Sequence, residues 1–126
     1  MAMSAHVVFR ALDPERPATL SPWVIRDVIR DAIGFDGLLM TDDLSMHALT
    51  GPFRARAEGA LAAGIDVVLH CNGVMEEMRA VAEGAHALNG RSAARAEAAL
   101  ARLGTRDGID VPEARARFAA ALAAAA

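Results

Sequence analysis

The chain has 126 residues, 54% hydrophobic but only 4% aromatic, and a formal net charge of −3, which leaves room for one domain with one core. Its arginines are spread rather than clustered, so it lacks the electrostatic footprint of a nucleic-acid binder. No apolar run approaches the about 20 residues of a membrane span, and the N-terminus lacks the basic-then-apolar order of a signal peptide, so no membrane partner and a cytoplasmic location are expected.

The opening run Met3-Ser4-Ala5-His6-Val7-Val8-Phe9 suits a buried strand, and the polar stretch Asp13-Pro14-Glu15-Arg16-Pro17 follows as a loop. Ser21-Pro22 supplies an N-cap and a proline at the first helical position. Val24, Ile25, Val28, Ile29 and Ala32 then recur at helical spacing, and Gly34 is placed to end that helix. Asp36-Gly37 is a turn. Leu38-Leu39-Met40 is a continuous apolar run of the kind found in parallel strands, and it stops at Thr41-Asp42-Asp43. After Gly51-Pro52, residues Phe53 to Ala63 read as an alanine-rich helix closed by Gly64, and Ile65-Asp66-Val67-Val68-Leu69 is the next strand.

Polar His70-Cys71-Asn72-Gly73 ends that strand, and Met75, Met78, Ala82 and Ala85 mark the expected core face of another helix. Two alanine-rich helices follow, roughly Ser92 to Leu103 and Pro112 to the end, broken by Gly104-Thr105-Arg106-Asp107-Gly108, with a terminal alanine run expected to fray. The alternation of strand and helix implies parallel strands joined by right-handed crossovers.

Chemistry in α/β proteins sits at the carboxyl ends of parallel strands, where Asp42 and Asp43 fall. Strand alternation places Leu38, Met40 and Asp42 on one face and Leu39, Thr41 and Asp43 on the other, so only one aspartate should face a site. Either could instead cap the turn that follows. All 13 basic residues are arginine, which excludes a Schiff-base or P-loop lysine. Cys71 is the single cysteine, excluding an internal disulfide, and reads as a buried small hydrophobe. His6, on a strand, reads as a packed core histidine, and His47, close to Asp42, as a weaker candidate for lining a substrate cleft.

Three stretches, Ala5-His6-Val7-Val8, Arg16-Pro17-Ala18-Thr19-Leu20-Ser21 and Gly34-Phe35-Asp36-Gly37-Leu38-Leu39-Met40-Thr41-Asp42-Asp43-Leu44-Ser45-Met46, follow one another in a telling order. Together with Ala62-Ala63-Gly64-Ile65-Asp66-Val67-Val68-Leu69-His70, they resemble bacterial β-N-acetylhexosaminidases of glycoside hydrolase family three. The resemblance implies an α/β fold, the last three β/α units of a (β/α)8 TIM barrel over residues 1–90, with residues 91–126 as helices packed on the barrel exterior. It implies Asp42 as the nucleophile of a retaining hydrolase, with Asp43 as a supporting or loop-capping residue. The implied substrate is a β-linked N-acetylglucosamine conjugate such as a muropeptide of cell-wall recycling, cleaved without metal or organic cofactor.

Such a barrel takes about 250 residues, so the first five units are expected to lie outside this chain. With them go the residues that hold the N-acetylated sugar and the acid/base histidine, which the family carries on an upstream loop. His6, His47, His70 and His86 do not lie in that motif. The fragment is therefore expected to be inactive alone, with the missing barrel half as its partner. A truncated reading frame is the expected explanation. A non-catalytic remnant that self-associates through open strand edges is the alternative. A receiver-like α/β phosphoacceptor matches in size but fails for want of its lysine.

Overall fold

The computed structural model describes residues 1–104 and 108–124. Three parallel strands, β1 (Ala2–Met3), β2 (Leu39–Asp43) and β3 (Val67–Leu69), lie in chain order in one sheet. Ala2 pairs with Leu39, Met3 with Met40, and Met40 with Val67. A helix over Val24–Ala32 links β1 to β2, and α1 (Phe53–Ala63) links β2 to β3. Three further helices follow: α2 (Met75–Gly84), α3 (Gly90–Leu100) and α4 (Val111–Ala124).

Local chemistry accounts for most of these limits. The Ser21 hydroxyl accepts the Val24 N–H at 3.2 Å, which makes Ser21 the cap that starts the first helix. That helix is wound as a π-helix, with the Ile33 N–H reaching back five residues to the Val28 carbonyl at 2.9 Å. Gly34 (φ 72°) and Gly64 (φ 107°) stop it and α1 in the left-handed region, where a Cβ would be strained.

The first strand departs from expectation. Pairing is confined to Ala2–Met3, prolonged only by the Ser4 N–H to the Met40 carbonyl (2.8 Å) and the Asp42 N–H to the Ser4 carbonyl (3.2 Å). Beyond Ser4 the chain leaves the sheet, and the Val7 carbonyl accepts the Ala18 N–H of the returning loop instead. Val7, Val8 and Phe9 are therefore left exposed rather than buried.

Two clusters make the core. Ile25, Leu39, Ala60, Ala63 and Ile65 form one, and Leu44, Leu49, Ala57 and Val81 the other, with Leu20 and Val68 packed against both. The helices thus cover the sheet face that carries Ala2, Leu39 and Val68. The opposite face carries Met3, Met40 and Val67, which belong to neither cluster, and Met3 is 53% exposed. Parallel sheets are normally covered on both faces, so this one is covered on one side only.

The expected core face of α2 is corrected in the same way. Val81 and Gly84 are its buried residues, while Met75 and Met78 are exposed. A Cβ on Gly84 would lie 2.4 Å from the Arg54 carbonyl oxygen and 3.1 Å from Ala57 Cβ. That near-contact of two helix backbones fixes the rotation of α2 on α1 and turns the methionines away. In the last part of the chain α4 buries no residue. The expected break at residues 105–107 and the final alanines 125–126 lie outside the described residues.

Candidate active site

The carboxyl end of β2 owes its shape to one irregularity. Met40 pairs with Val67, but Leu69 pairs with Asp43 rather than with Asp42, so β2 gains one residue on β3 over this stretch. The Thr41 hydroxyl accepts the Leu69 N–H at 2.9 Å across the irregular stretch. The extra residue gives the paired place to Asp43 and leaves Asp42 outside the β2–β3 ladder.

The two carboxylates differ accordingly. Asp43 Oδ1 accepts the N–H groups of Ser45 (2.9 Å) and Cys71 (3.1 Å), and Asp43 Oδ2 accepts the Ser45 hydroxyl. The Ser45 hydroxyl holds the Asp43 carboxyl below the usual carboxylate range against the opposing effect of desolvation, and the Ser45 and Cys71 N–H groups add to the lowering. Asp43 therefore anchors the turn after β2 and the segment after β3. Asp42 is part-buried, and its Oδ1 accepts the Asp43 N–H at 2.8 Å. Among the described residues no further donor reaches the Asp42 carboxylate within hydrogen-bond distance.

Of the other residues singled out in the sequence, His6 is buried and connects β1 to this turn. Its Nε2 lies 3.0 Å from the Asp43 carbonyl oxygen and its Nδ1 2.9 Å from Thr19 Oγ1. Thr19 Oγ1 also lies 2.8 Å from Ser4 Oγ, and both residues are buried. His6 is thus packed and fully partnered as expected, although it lies beyond β1 and not on a strand. His47 is exposed on the loop after β2.

Cys71 is a correction: it is exposed, not a buried hydrophobe. Its backbone is held by Asp43 while its side chain stays at the surface, and desolvation together with the charges of Asp43 and Asp42 raises its thiol pKa. His70, read only as polar punctuation after β3, has a side chain 5% exposed beside Asp43 and Glu77. An ionisable residue directly after an apolar strand was the available signal for it.

The amino end of the sheet holds a second cluster that sequence reasoning missed. Asp66, 1% exposed, uses both carboxylate oxygens twice. Its Oδ2 accepts Arg30 Nη2 (2.8 Å) and the Leu39 N–H (2.8 Å), and its Oδ1 accepts the Ser92 hydroxyl (2.6 Å) and Arg95 Nη1 (3.0 Å). Burial raises its pKa, but the Ser92, Leu39 and Arg95 donors together bring it below the usual range. Arg95 also reaches Asp36 at 2.6 Å, and Arg30 donates to the carbonyls of Phe35 and Gly37. The signal was an aspartate inside an apolar strand run, since a buried carboxylate needs partners.

Parallel strands with helices on one face, and an under-committed carboxylate at the end of the central strand, describe a parallel α/β domain with a candidate site at its strand ends. Residues 1–105 match the model of the glycosyl hydrolase family 3 N terminal domain, and the chain belongs to that family. Within it, similar curated proteins are named beta-hexosaminidases. That of Alkalilimnicola ehrlichii is 46% identical over 72 residues, covering 56% of this chain and 20% of the relative. That of Mannheimia succiniciproducens is 44% identical over the same shares. The chain thus spans about a fifth of the length of the curated relatives it matches. Among solved structures, a family 3 beta-N-acetylglucosaminidase from a Paenibacillus species superposes with a TM-score of 0.69 at 32% identity, over 87% of this chain and 24% of that one. The beta-N-acetylglucosaminidase of Thermotoga maritima does so with a TM-score of 0.63 at 27% identity, over 84% and 26%.

Proposed function

We propose that this chain is the last three β/α units of a (β/α)8 barrel, residues 1–90, with residues 91–126 as helices outside it, and that it carries the nucleophile of a retaining β-N-acetylhexosaminidase. The observation that supports this most directly is the unequal use of the two strand-end carboxylates: Asp43 is spent on the turn, and Asp42 keeps an oxygen uncommitted. The uncovered face bearing Met3, Met40 and Val67 fits a barrel wall seen without the rest of the barrel. The names of the similar enzymes supply the sugar: β-linked N-acetylglucosamine conjugates, of which cytoplasmic muropeptides are the proposed source.

In the proposed reaction an Asp42 oxygen attacks the anomeric carbon as the bond to the aglycone oxygen breaks, and an acid from the missing units protonates that oxygen. Water then hydrolyses the glycosyl ester and returns the Asp42 carboxylate. The chain alone lacks the acid and most of the sugar-binding wall, so it is inactive by itself.

The test replaces the matching segment of a solved family relative with residues 1–105 and measures release of an aryl leaving group from an N-acetyl-β-glucosaminide. Turnover that vanishes in Asp42→Asn supports the reading, and turnover indifferent to that change refutes it. Turnover by the isolated 126-residue chain would overturn its inactivity. Static light scattering of the same sample tests the self-associating alternative, which predicts a stable dimer or tetramer.

A further inference from the structure

His70 is the one buried ionisable side chain for which the fold provides no hydrogen bond: among the described residues both of its ring nitrogens are enclosed and unpartnered. The ring is enclosed from three elements. From β2, Asp43 Oδ1 lies 3.9 Å from Nδ1, and from α2, Glu77 Oε2 lies 3.5 Å from Nε2. From α1, Phe53 meets the ring edge-on with centroids 5.4 Å apart, and the Arg56 guanidinium lies 4.7 Å from the centroid of that phenyl ring. Two carboxylates therefore flank the imidazole directly, and one α1 cation, Arg56, stacks on its aromatic neighbour.

A neutral imidazole has one N–H and one bare nitrogen. In this slot either tautomer points a lone pair at a carboxylate oxygen. Only the doubly protonated ring offers a donor on each side, and closing both gaps to hydrogen-bond length takes shifts of about 1 Å or less. The partners are already fixed: Asp43 by Ser45 and Cys71, and Glu77 by the side-chain amide of Asn72.

We propose that His70 is a positioning residue, an imidazolium clamped between Asp43 and Glu77 that ties the end of β2 to α2. Its consequence for catalysis rests on the reading of Asp42 as nucleophile. Asp43 donates its N–H to Asp42 Oδ1 at 2.8 Å, so a clamp on Asp43 fixes the carboxylate next to it. His6 holds the Asp43 carbonyl from the β1 side at 3.0 Å, so histidines from the segments that follow both flanking strands converge on one residue.

The test is ¹⁵N NMR of the full 126-residue chain labelled in histidine, at pH 7. Both His70 ring nitrogens should resonate in the imidazolium range, and Glu77→Gln, on a side chain 28% exposed and thus tolerant of change, should return the ring to a neutral tautomer. The Asp43 amide proton, which bonds to Asp42 Oδ1, should change its chemical shift in Glu77→Gln at the same pH. A neutral His70 in the unsubstituted chain, or an imidazolium that persists in Glu77→Gln and Asp43→Asn alike, overturns the proposal. Neither readout requires turnover. A wrong nucleophile assignment would thus leave the clamp standing, and an unclamped His70 would leave Asp42 as it is.

Discussion

The two ends of the sheet each carry an aspartate that accepts a backbone N–H, and the two are held very differently. At the amino end, Asp66 is almost fully buried and receives four donors, among them two guanidinium groups. At the carboxyl end, Asp42 is part-buried and receives one donor, from the peptide beside it. Satisfying a buried carboxylate completely makes it a structural tie, whereas leaving an oxygen open makes it available to something that is not protein. This division matches the general rule for parallel α/β folds, in which the amino face serves stability and the carboxyl face serves chemistry.

The contrast can be broken from either side. The largest effect expected is on chemistry: in the active chimera, Asp42→Asn should cut turnover by on the order of 10⁴-fold or more, the scale seen when a hydrolase loses its nucleophile, with the unfolding midpoint unchanged. Asp66→Ala should do the reverse. It leaves Arg30 and Arg95 without their buried counter-charge and should cost about 3–5 kcal/mol in urea unfolding. Gly84→Val should destabilise by about 1–3 kcal/mol, read as a lowered thermal midpoint by circular dichroism, because its side chain would collide with the Arg54 carbonyl.

A smaller effect follows from pH. The carboxyls of Asp66 and Asp43 are held below their ordinary value in the folded chain. Their contribution to stability is therefore fully present above the unfolded value of about 3.9, and is lost as pH falls through the lower folded values. Acid unfolding should show a limb in that range, and Asp66→Asn should flatten it. Least is expected of Asp36→Asn: its pairs with Arg91 and Arg95 are made by a side chain 65% exposed, so the urea midpoint should stay within experimental error.

Much of this architecture was legible in the sequence because its signals are local. Ser21 caps a helix through its own hydroxyl, Gly34 and Gly64 stop helices through their own φ, and Leu39 sits in an apolar run that is a strand wherever it is placed. What escaped depends on partners distant in the chain. The buried face of α2 was set by the close approach of Gly84 to Arg54, one helix away, and no periodicity within α2 distinguishes that face from the one bearing Met75 and Met78. Val7 to Phe9 have strand-like composition but, among the described residues, no neighbouring strand to pair with. Asp66 and His70 looked like polar interruptions, since their partners, Arg30, Ser92, Arg95 and Glu77, come from other elements. Asp42 and Asp43 were readable as a strand end, but which of them is left outside the ladder was not fixed by alternation alone.

That choice is made by counting. With an even ladder from Met40–Val67 onward, Leu69 would face Asp42, and Asp43 would be the residue left over; the single extra residue in β2 swaps them. Two side chains of identical chemistry thus receive different assignments from the parity of a strand. For protein design, the transferable instruction is to specify a reactive carboxylate by its place in the ladder, and let its twin fill the neighbouring slot.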